Sequence, residues 1–369
     1  MQGMQNPWMR LMTKAAAHAK AHGAKTPLLS PVDNSVVRMK ATPADSPLVP
    51  VSELQAMGVR VVPWTTNDPE QMRAVIRTGV DGLISDRPDL LQKVVAEERA
   101  ARPGDAKLAH FVVSAHRGGR GLRPENTLPS FESGLDQLAT ELETDTGVST
   151  DGVSLIWHDQ FYNPQSCRKA DGSAYAMADR VYLQDVSVKQ AQAMFICDKL
   201  HFGDAQKNDL ALSPVTVAFT AKEKRPNVYS PTYVAELFRF VKFYAEYYST
   251  GAGKDDPHAK ERAANARTVH FNIETKILPD LTAATAAIEA PGVPPEMLKN
   301  HTKAPQAFVD ALAGVIAKEH MEGRAAIQSF DFRTLQLVEE QYPKIQTFYL
   351  TDKARLLGTE FLPVGLRLE

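Results

Sequence analysis

Residues 58–90 read GVRVVPWTTNDPEQMRAVIRTGVDGLISDRPDL, a strand, a turn, a helix and a second strand in quick succession. The first strand spans Val59 to Thr65. Asn67-Asp68-Pro69 then opens a helix, with Asp68 as N-cap and Pro69 at the first helical position, where a missing N–H is harmless. Gly82 to Ser85 is the second strand. A βαβ unit needs parallel neighbours on both edges, yet fewer than sixty residues precede this one, and they hold little strand-like sequence. Its partners must lie downstream.

On the N-terminal side, Trp8 to His22 is predicted as a helix, because Leu11, Ala15, Ala16 and Ala19 recur at helical spacing and Gly23 follows as a C-cap. A strand follows at Thr26 to Ser30. On the C-terminal side, Arg87 to Pro103 reads as a helix stopped by Pro103-Gly104. Further strands are predicted from Phe111 (FVVSAHRGG), at Leu142 to Asp145, His270 to Thr275, Ala325 to Ser329 and Thr347 to Leu350. With the three early strands these make eight, the number that closes a TIM (β/α)8 barrel. An open doubly wound sheet would usually carry a Gly-rich phosphate loop after its first strand, and the sequence has none. The stretch Gln160 to Thr268 departs from the rhythm. It is rich in aromatics (Tyr229, Tyr233, Phe238, Phe240, Phe243, Tyr244) and is expected as a lobe inserted at the barrel mouth, helical from Thr232 to Tyr248 and exposed or mobile from Gly251 to Arg267.

The balance of 42 Lys plus Arg against 44 Asp plus Glu argues against a nucleic-acid partner or a polybasic membrane surface. No apolar run approaches the ~18 residues of a membrane span, and the first twenty residues lack the apolar core and cleavage site of a secretory signal. The chain is therefore expected to be soluble, without an integral membrane segment. Cys167 and Cys197 have no CxxC or Cys/His spacing, so zinc is not expected. Two free thiols are the expectation, with a disulfide as the alternative in an oxidising compartment.

Charge gathers where apolar strands end. Glu143 and Asp145 in LETDTG are two apart and share a strand face, as do Glu274 and Lys276 in FNIETK. One such pair is ordinarily a solvated edge, but two pairs at strand ends stand where barrel sites form. Carboxylates packed this closely repel unless a hard divalent cation, Mg²⁺ or Ca²⁺, gathers their oxygens, so Glu143, Asp145 and Glu274 are the candidate ligands. His116 in SAHRGG and His158 in LIWHD also end apolar strands, and the Thr150-Asp151-Gly152 turn folds the latter back beside Glu143 as a hairpin. A lone histidine is more often structural. Two, flanked by Arg117 and Asp159, suit acid/base work at phosphorus. Arg117 as a fork and Lys276 as a point charge suit a phosphate anion, which makes a phosphate ester the expected substrate.

These stretches, namely HRGGRGLRPENTLPSF, ELETDTGVSTDGVSLIWHD, FNIETK, IQSFDFRTL and VVPWTTNDPEQM with GVDGLISDRPD, resemble motif for motif the bacterial glycerophosphodiester phosphodiesterases. The resemblance implies a TIM-barrel enzyme that hydrolyses small-molecule glycerophosphodiesters to sn-glycerol 3-phosphate and an alcohol. It implies His116 and His158 as the general acid/base pair, Arg117 and Lys276 on the phosphate, and Glu143, Asp145 and Glu274 as ligands of Ca²⁺ or Mg²⁺. It also sets Glu125 close to those ligands and Trp64 on the pocket wall. A lysophospholipase D-type activity is the second reading, favoured if the aromatic insertion forms an apolar channel; a non-catalytic phosphodiester-binding protein is the third. Members of the family are often exported, which leans localisation towards the periplasm or cell exterior, although no export signal is visible here.

Order is the departure. In the family the WTxN and GVDG strands come last, and here they come first, so the barrel is expected to be circularly permuted. Residues 1–92 would supply strands six to eight, 93–110 a linker, 111–159 and 269–369 strands one to five, and 160–268 the inserted lobe. Closure then requires residues 79–86 to lie beside 111–118, and 347–351 beside 26–30, with Met1 and Glu369 on one side of the barrel.

Overall fold

A computed structural model of the chain describes residues 6–38, 47–294 and 298–368. Seven strands run parallel in one sheet: β1 Leu28–Pro31, β2 Gly82–Ser85, β3 Val112–Ala115, β4 Glu141–Val148, β5 His270–Thr275, β6 Ala325–Ser329 and β7 Gln346–Thr351. Their spatial order is β1-β7-β6-β5-β4-β3-β2. Between β1 and β2 lies the extended segment 61–64. On one side it forms the parallel bridges Leu29↔Val61 and Val32↔Trp64; on the other, the amides of Asp81 and Ile84 donate to the carbonyls of Val61 and Pro63, each at 2.9 Å. The ring is thereby complete, and the fold is an α/β barrel of the TIM type. The strand expected over Val59 to Thr65 is shorter than its pattern because Pro63 has no N–H to contribute to a ladder.

Both pairings that closure requires are present. Leu28 of β1 stands opposite Phe348 of β7, and Gly82 of β2 opposite Val112 of β3. A side chain at Gly82 would put its Cβ 2.5 Å from that of Val112, so the β2–β3 contact needs the glycine. Met1 and Glu369 lie outside the described residues. Near the ends, Lys14 Nζ donates to the carbonyl of Arg367 at 2.6 Å.

The helices used below are α1 Pro7–Ala21, α2 Pro69–Arg77, α3 Pro88–Ala101, α4 Leu128–Asp136, α5 Pro214–Glu223, α6 Val234–Ser249, α7 Ala259–Thr268, α8 Pro305–Lys318 and α9 Phe332–Gln341. Asn6 and Asp68 cap α1 and α2 through their side chains, and α2 and α3 carry proline in the first turn; the Asp68 cap and Pro69 of α2 are those expected from the sequence. Buried residues at helical spacing, such as Trp8, Leu11, Met12, Ala15 and Ala19 on α1, face the barrel core. Among the described residues no helix is long and apolar enough to cross a membrane.

Residues 160–268 are shared between two apolar clusters. Tyr162, Cys167, Leu183 and Phe195 gather with Leu155 and Trp157 in a small cluster of their own, whereas Phe219 of α5 and Phe240 and Tyr244 of α6 belong to the main core. Residues 259–268, expected within an exposed or mobile stretch, form α7 instead. Its buried face is Ala259, Ala263 and Ala266, small side chains that allow close packing on α6. The expectation of two free thiols is also corrected, because Cys167 and Cys197 form a disulfide. A short antiparallel ladder pairs Arg168 with Ile196 and Lys169 with Phe195, so one step further along it sets the two cysteines opposite each other.

Candidate active site

β3 ends at Ala115, and the chain then turns sharply through Arg117, Gly118 and Gly119, at φ values of 50°, 82° and 111°. Gly118 is obligatory there, since a Cβ would lie 2.7 Å from the Phe131 amide nitrogen in α4. The turn leaves His116 and Arg117 at the C-terminal mouth of the barrel. His116 Nδ1 donates to Asp86 Oδ1 at 2.6 Å, and Asp86 is itself held by Asn67 Nδ2 at 2.8 Å and Arg120 Nε at 2.7 Å. The other ring nitrogen, Nε2, stands 3.9 Å from Glu143 Oε2.

Glu143 and Asp145 project from one face of β4, and Asp145 is the register partner of Glu274 on β5. Carboxylate oxygens of Glu143, Asp145 and Glu274 lie within 4.8 Å of one another, and all three residues are buried. Each carboxylate also meets polar groups from outside the cluster. Glu143 accepts from Gln328 Nε2 at 2.7 Å and from the Arg117 amide at 2.8 Å; Asp145 accepts from Asn126 Nδ2 at 2.9 Å, and Lys276 Nζ sits 2.9 Å from Glu274. The return strand Ser154–Ile156 pairs antiparallel with β4, Ile156 opposite Thr146, and so delivers His158 to the same mouth. His158 Nδ1 donates to Asp159 Oδ1 at 2.8 Å, and Asn163 secures that carboxylate at 2.9 Å.

Burial, with the Asp145 charge added, pushes Glu143 well above the usual carboxylate range. Burial likewise raises Glu274 to about 7 despite Lys276. For Asp145 burial pulls the same way but is outweighed by Arg117, His158 and Lys276, which hold it low. A divalent cation among these oxygens would offset the mutual repulsion that adds to the rise of Glu143 and Glu274. Burial, reinforced by Arg117 and Lys276, takes His158 down to about 4. Burial also lowers His116, with Asp86 opposing.

Trp64, His116, Arg117, Glu143, Asp145, His158, Glu274 and Lys276 all line one cavity of about 310 Å³, whose walls include Phe330 and Leu350. Glu125 does not. Its carboxylate lies behind Arg117, 2.5 Å from Nη1, and also accepts from Ser166 Oγ at 3.1 Å. Sequence reasoning missed Asp86, Arg120, Asn126 and Gln328. All four stand inside the motifs already quoted, and a glutamine in the apolar run of β6 was the most visible signal, because a buried amide needs polar partners.

The family model for glycerophosphoryl diester phosphodiesterases matches residues 5–90 and 116–360. A lysophospholipase D from Mus musculus is 43% identical over 54 residues, which are 15% of this chain and 16% of that protein. The uncharacterized protein YqiK of Bacillus subtilis (strain 168) is 39% identical over 51 residues, 14% of this chain and 21% of that one. The alignments therefore span about a fifth or less of the curated relatives. Among solved structures, a candidate glycerophosphoryl diester phosphodiesterase from Silicibacter pomeroyi DSS-3 is 19% identical, with a TM-score of 0.42, over 63% of this chain and 62% of that chain.

Proposed function

The chain belongs to the glycerophosphoryl diester phosphodiesterase family, and on that premise we propose that it hydrolyses glycerophosphodiesters, such as glycerophosphocholine or glycerophosphoethanolamine, to sn-glycerol 3-phosphate and an alcohol. One observation carries the reading. Two imidazoles, two guanidiniums, an ammonium and four carboxylates converge on a single cavity of about 310 Å³, which suits a small polar substrate.

In this reading Arg117 and Lys276 hold the phosphoryl oxygens. Asp86 and Asp159 fix the Nδ1 protons of His116 and His158, so Nε2 is the atom of each ring that takes up or releases a proton. One imidazole takes the proton of the attacking hydroxyl as the new O–P bond forms; the other protonates the departing alkoxide as the old P–O bond breaks. Glu143, Asp145 and Glu274 have the oxygen donor set of Ca²⁺ or Mg²⁺, and such an ion, when bound, supplies Lewis-acid charge to the phosphoryl group. Glu125 and Asn126 position Arg117 and Asp145 rather than touching substrate. We read the strand order as a circular permutation of the family barrel, with 93–110 joining the former ends and 160–268 as the insertion.

A lysophospholipase D reading requires an apolar channel, and none of the aromatic residues from Tyr229 to Tyr248 lines the cavity. The test is one assay of the purified protein on glycerophosphocholine, glycerophosphoethanolamine and lysophosphatidylcholine, with and without chelator. Release of glycerol 3-phosphate, abolished by metal stripping and restored by Ca²⁺ or Mg²⁺, is expected. Lysophosphatidic acid as the main product would favour the lipid substrate, and no product from any of the three would leave only binding.

A further inference from the structure

We propose that His18, His22 and Glu340 form a second metal site, on the outer flank of the barrel, that takes a borderline divalent ion of the Zn²⁺ class and ties α1 to α9. His18 lies in the last turn of α1 and His22, four residues on, is its C-cap; their ring centroids are 4.5 Å apart. Glu340 reaches the pair from α9. One ligand atom from each of the three residues lies within 4.8 Å of the other two, and His18 Nε2 is 3.2 Å from Glu340 Oε1. Tetrahedral coordination with bonds of ~2.0–2.1 Å sets neighbouring donors ~3.3 Å apart, so this edge already has the spacing that an ion needs.

The surroundings separate this cluster from a chance surface ion pair. A metal-bound imidazole gives its other ring N–H to a carboxylate or a backbone carbonyl, which fixes the ring and raises its basicity. Both histidines do so here. His18 Nδ1 donates to Glu339 Oε2 at 2.8 Å, and His22 Nδ1 donates to the His18 carbonyl at 2.9 Å. Glu339 is fully buried and is itself locked by Thr347 Oγ1 at 2.8 Å and Tyr349 Oη at 3.1 Å from β7. Each ring is therefore held with Nε2 outward as the ligand atom. Two imidazoles and one carboxylate select Zn²⁺, Ni²⁺ or Cu²⁺ over Mg²⁺ and Ca²⁺, whereas the cluster of Glu143, Asp145 and Glu274 offers oxygen alone. The tie would join residues 322 apart in the chain, and three protein ligands leave a fourth position to water.

The test uses tag-free, metal-stripped protein held in millimolar Mg²⁺, so that the carboxylate site is filled by its own class of ion. Titration with Co²⁺ should give the visible absorption of a low-coordinate, nitrogen-ligated ion, saturating at one equivalent, and Zn²⁺ in excess should raise Tm by roughly 3 °C. Both responses should vanish in His22→Ala and in Glu340→Ala, two exposed positions whose replacement leaves the His18–Glu339 bond in place. Absence of the Co²⁺ bands in the parent protein, or their survival in either variant, overturns the proposal.

Discussion

His116 and His158 are held at Nδ1 by carboxylates that belong to different elements, so either ring can be removed without dismantling the other. Replacing His116 or His158 by alanine is expected to lower kcat by ~10²-fold or more, the scale of a lost general acid or base, with the far-UV circular dichroism spectrum and melting retained. A loss below tenfold at either position would take that histidine out of the mechanism. Most of this site was legible because strand alternation alone puts Glu143 with Asp145 and Glu274 with Lys276 on shared faces. Its supporting groups were not. Asp86 stands 30 residues from His116, and Gln328 stands 185 from Glu143, so only the closed barrel brings each to its partner. The resemblance set Glu125 in the pocket close to the ligands; its carboxylate pairs with the Arg117 guanidinium and does not line the cavity.

Among the elements, α2 and α3 are joined by a buried carboxylate. Glu98 of α3 lies 3.3 Å from Arg73 and 3.0 Å from Arg77, both on α2, and 3.0 Å from Arg102. These guanidiniums, Arg77 foremost, hold its carboxyl below the usual range. The stabilisation is therefore complete above the ordinary glutamate value and is lost as pH falls through the lower, folded-state value. Glu98→Gln should cost about 1–3 kcal/mol at neutral pH, and urea denaturation of the two proteins should converge as pH drops below ~4; a constant gap down to pH 3 would contradict the ion pairing. The disulfide makes a second test, since closing a 30-residue span is worth about 3–4 kcal/mol in the chain-entropy model. Reductant should lower Tm, and Cys167→Ser should abolish that response. The start of α2 could be read directly from sequence, because Asp68 and Pro69 supply its cap and first residue. The α7 helix could not, because an all-alanine buried face on a charged, Gly-flanked stretch gives almost no hydrophobic periodicity, and the facing of the two cysteines depends on a two-residue ladder too short to predict.

At the scale of the whole molecule, residues 1–92 carry β1, the segment 61–64 and β2, three of the members that close the ring. Deleting them would leave β3 and β7 as open edges, and the truncated chain is expected to aggregate. A soluble, cooperatively melting and active protein of residues 93–369 would show instead that the N-terminal part is a separate module. The strand count followed from eight short apolar runs, whereas both closing pairs followed from the resemblance, whose strand order set the early strands last. The same seam imposes a timetable on synthesis. Position 26 leaves the ribosome 320 residues before position 346, its neighbour across the closing pair, so at about 5–20 residues per second the first strand waits roughly 15–65 s for its permanent partner. For that interval the nascent chain holds a finished strand with one side open, and protease resistance of the N-terminal third should appear only after β7 has emerged, whatever the rate of translation.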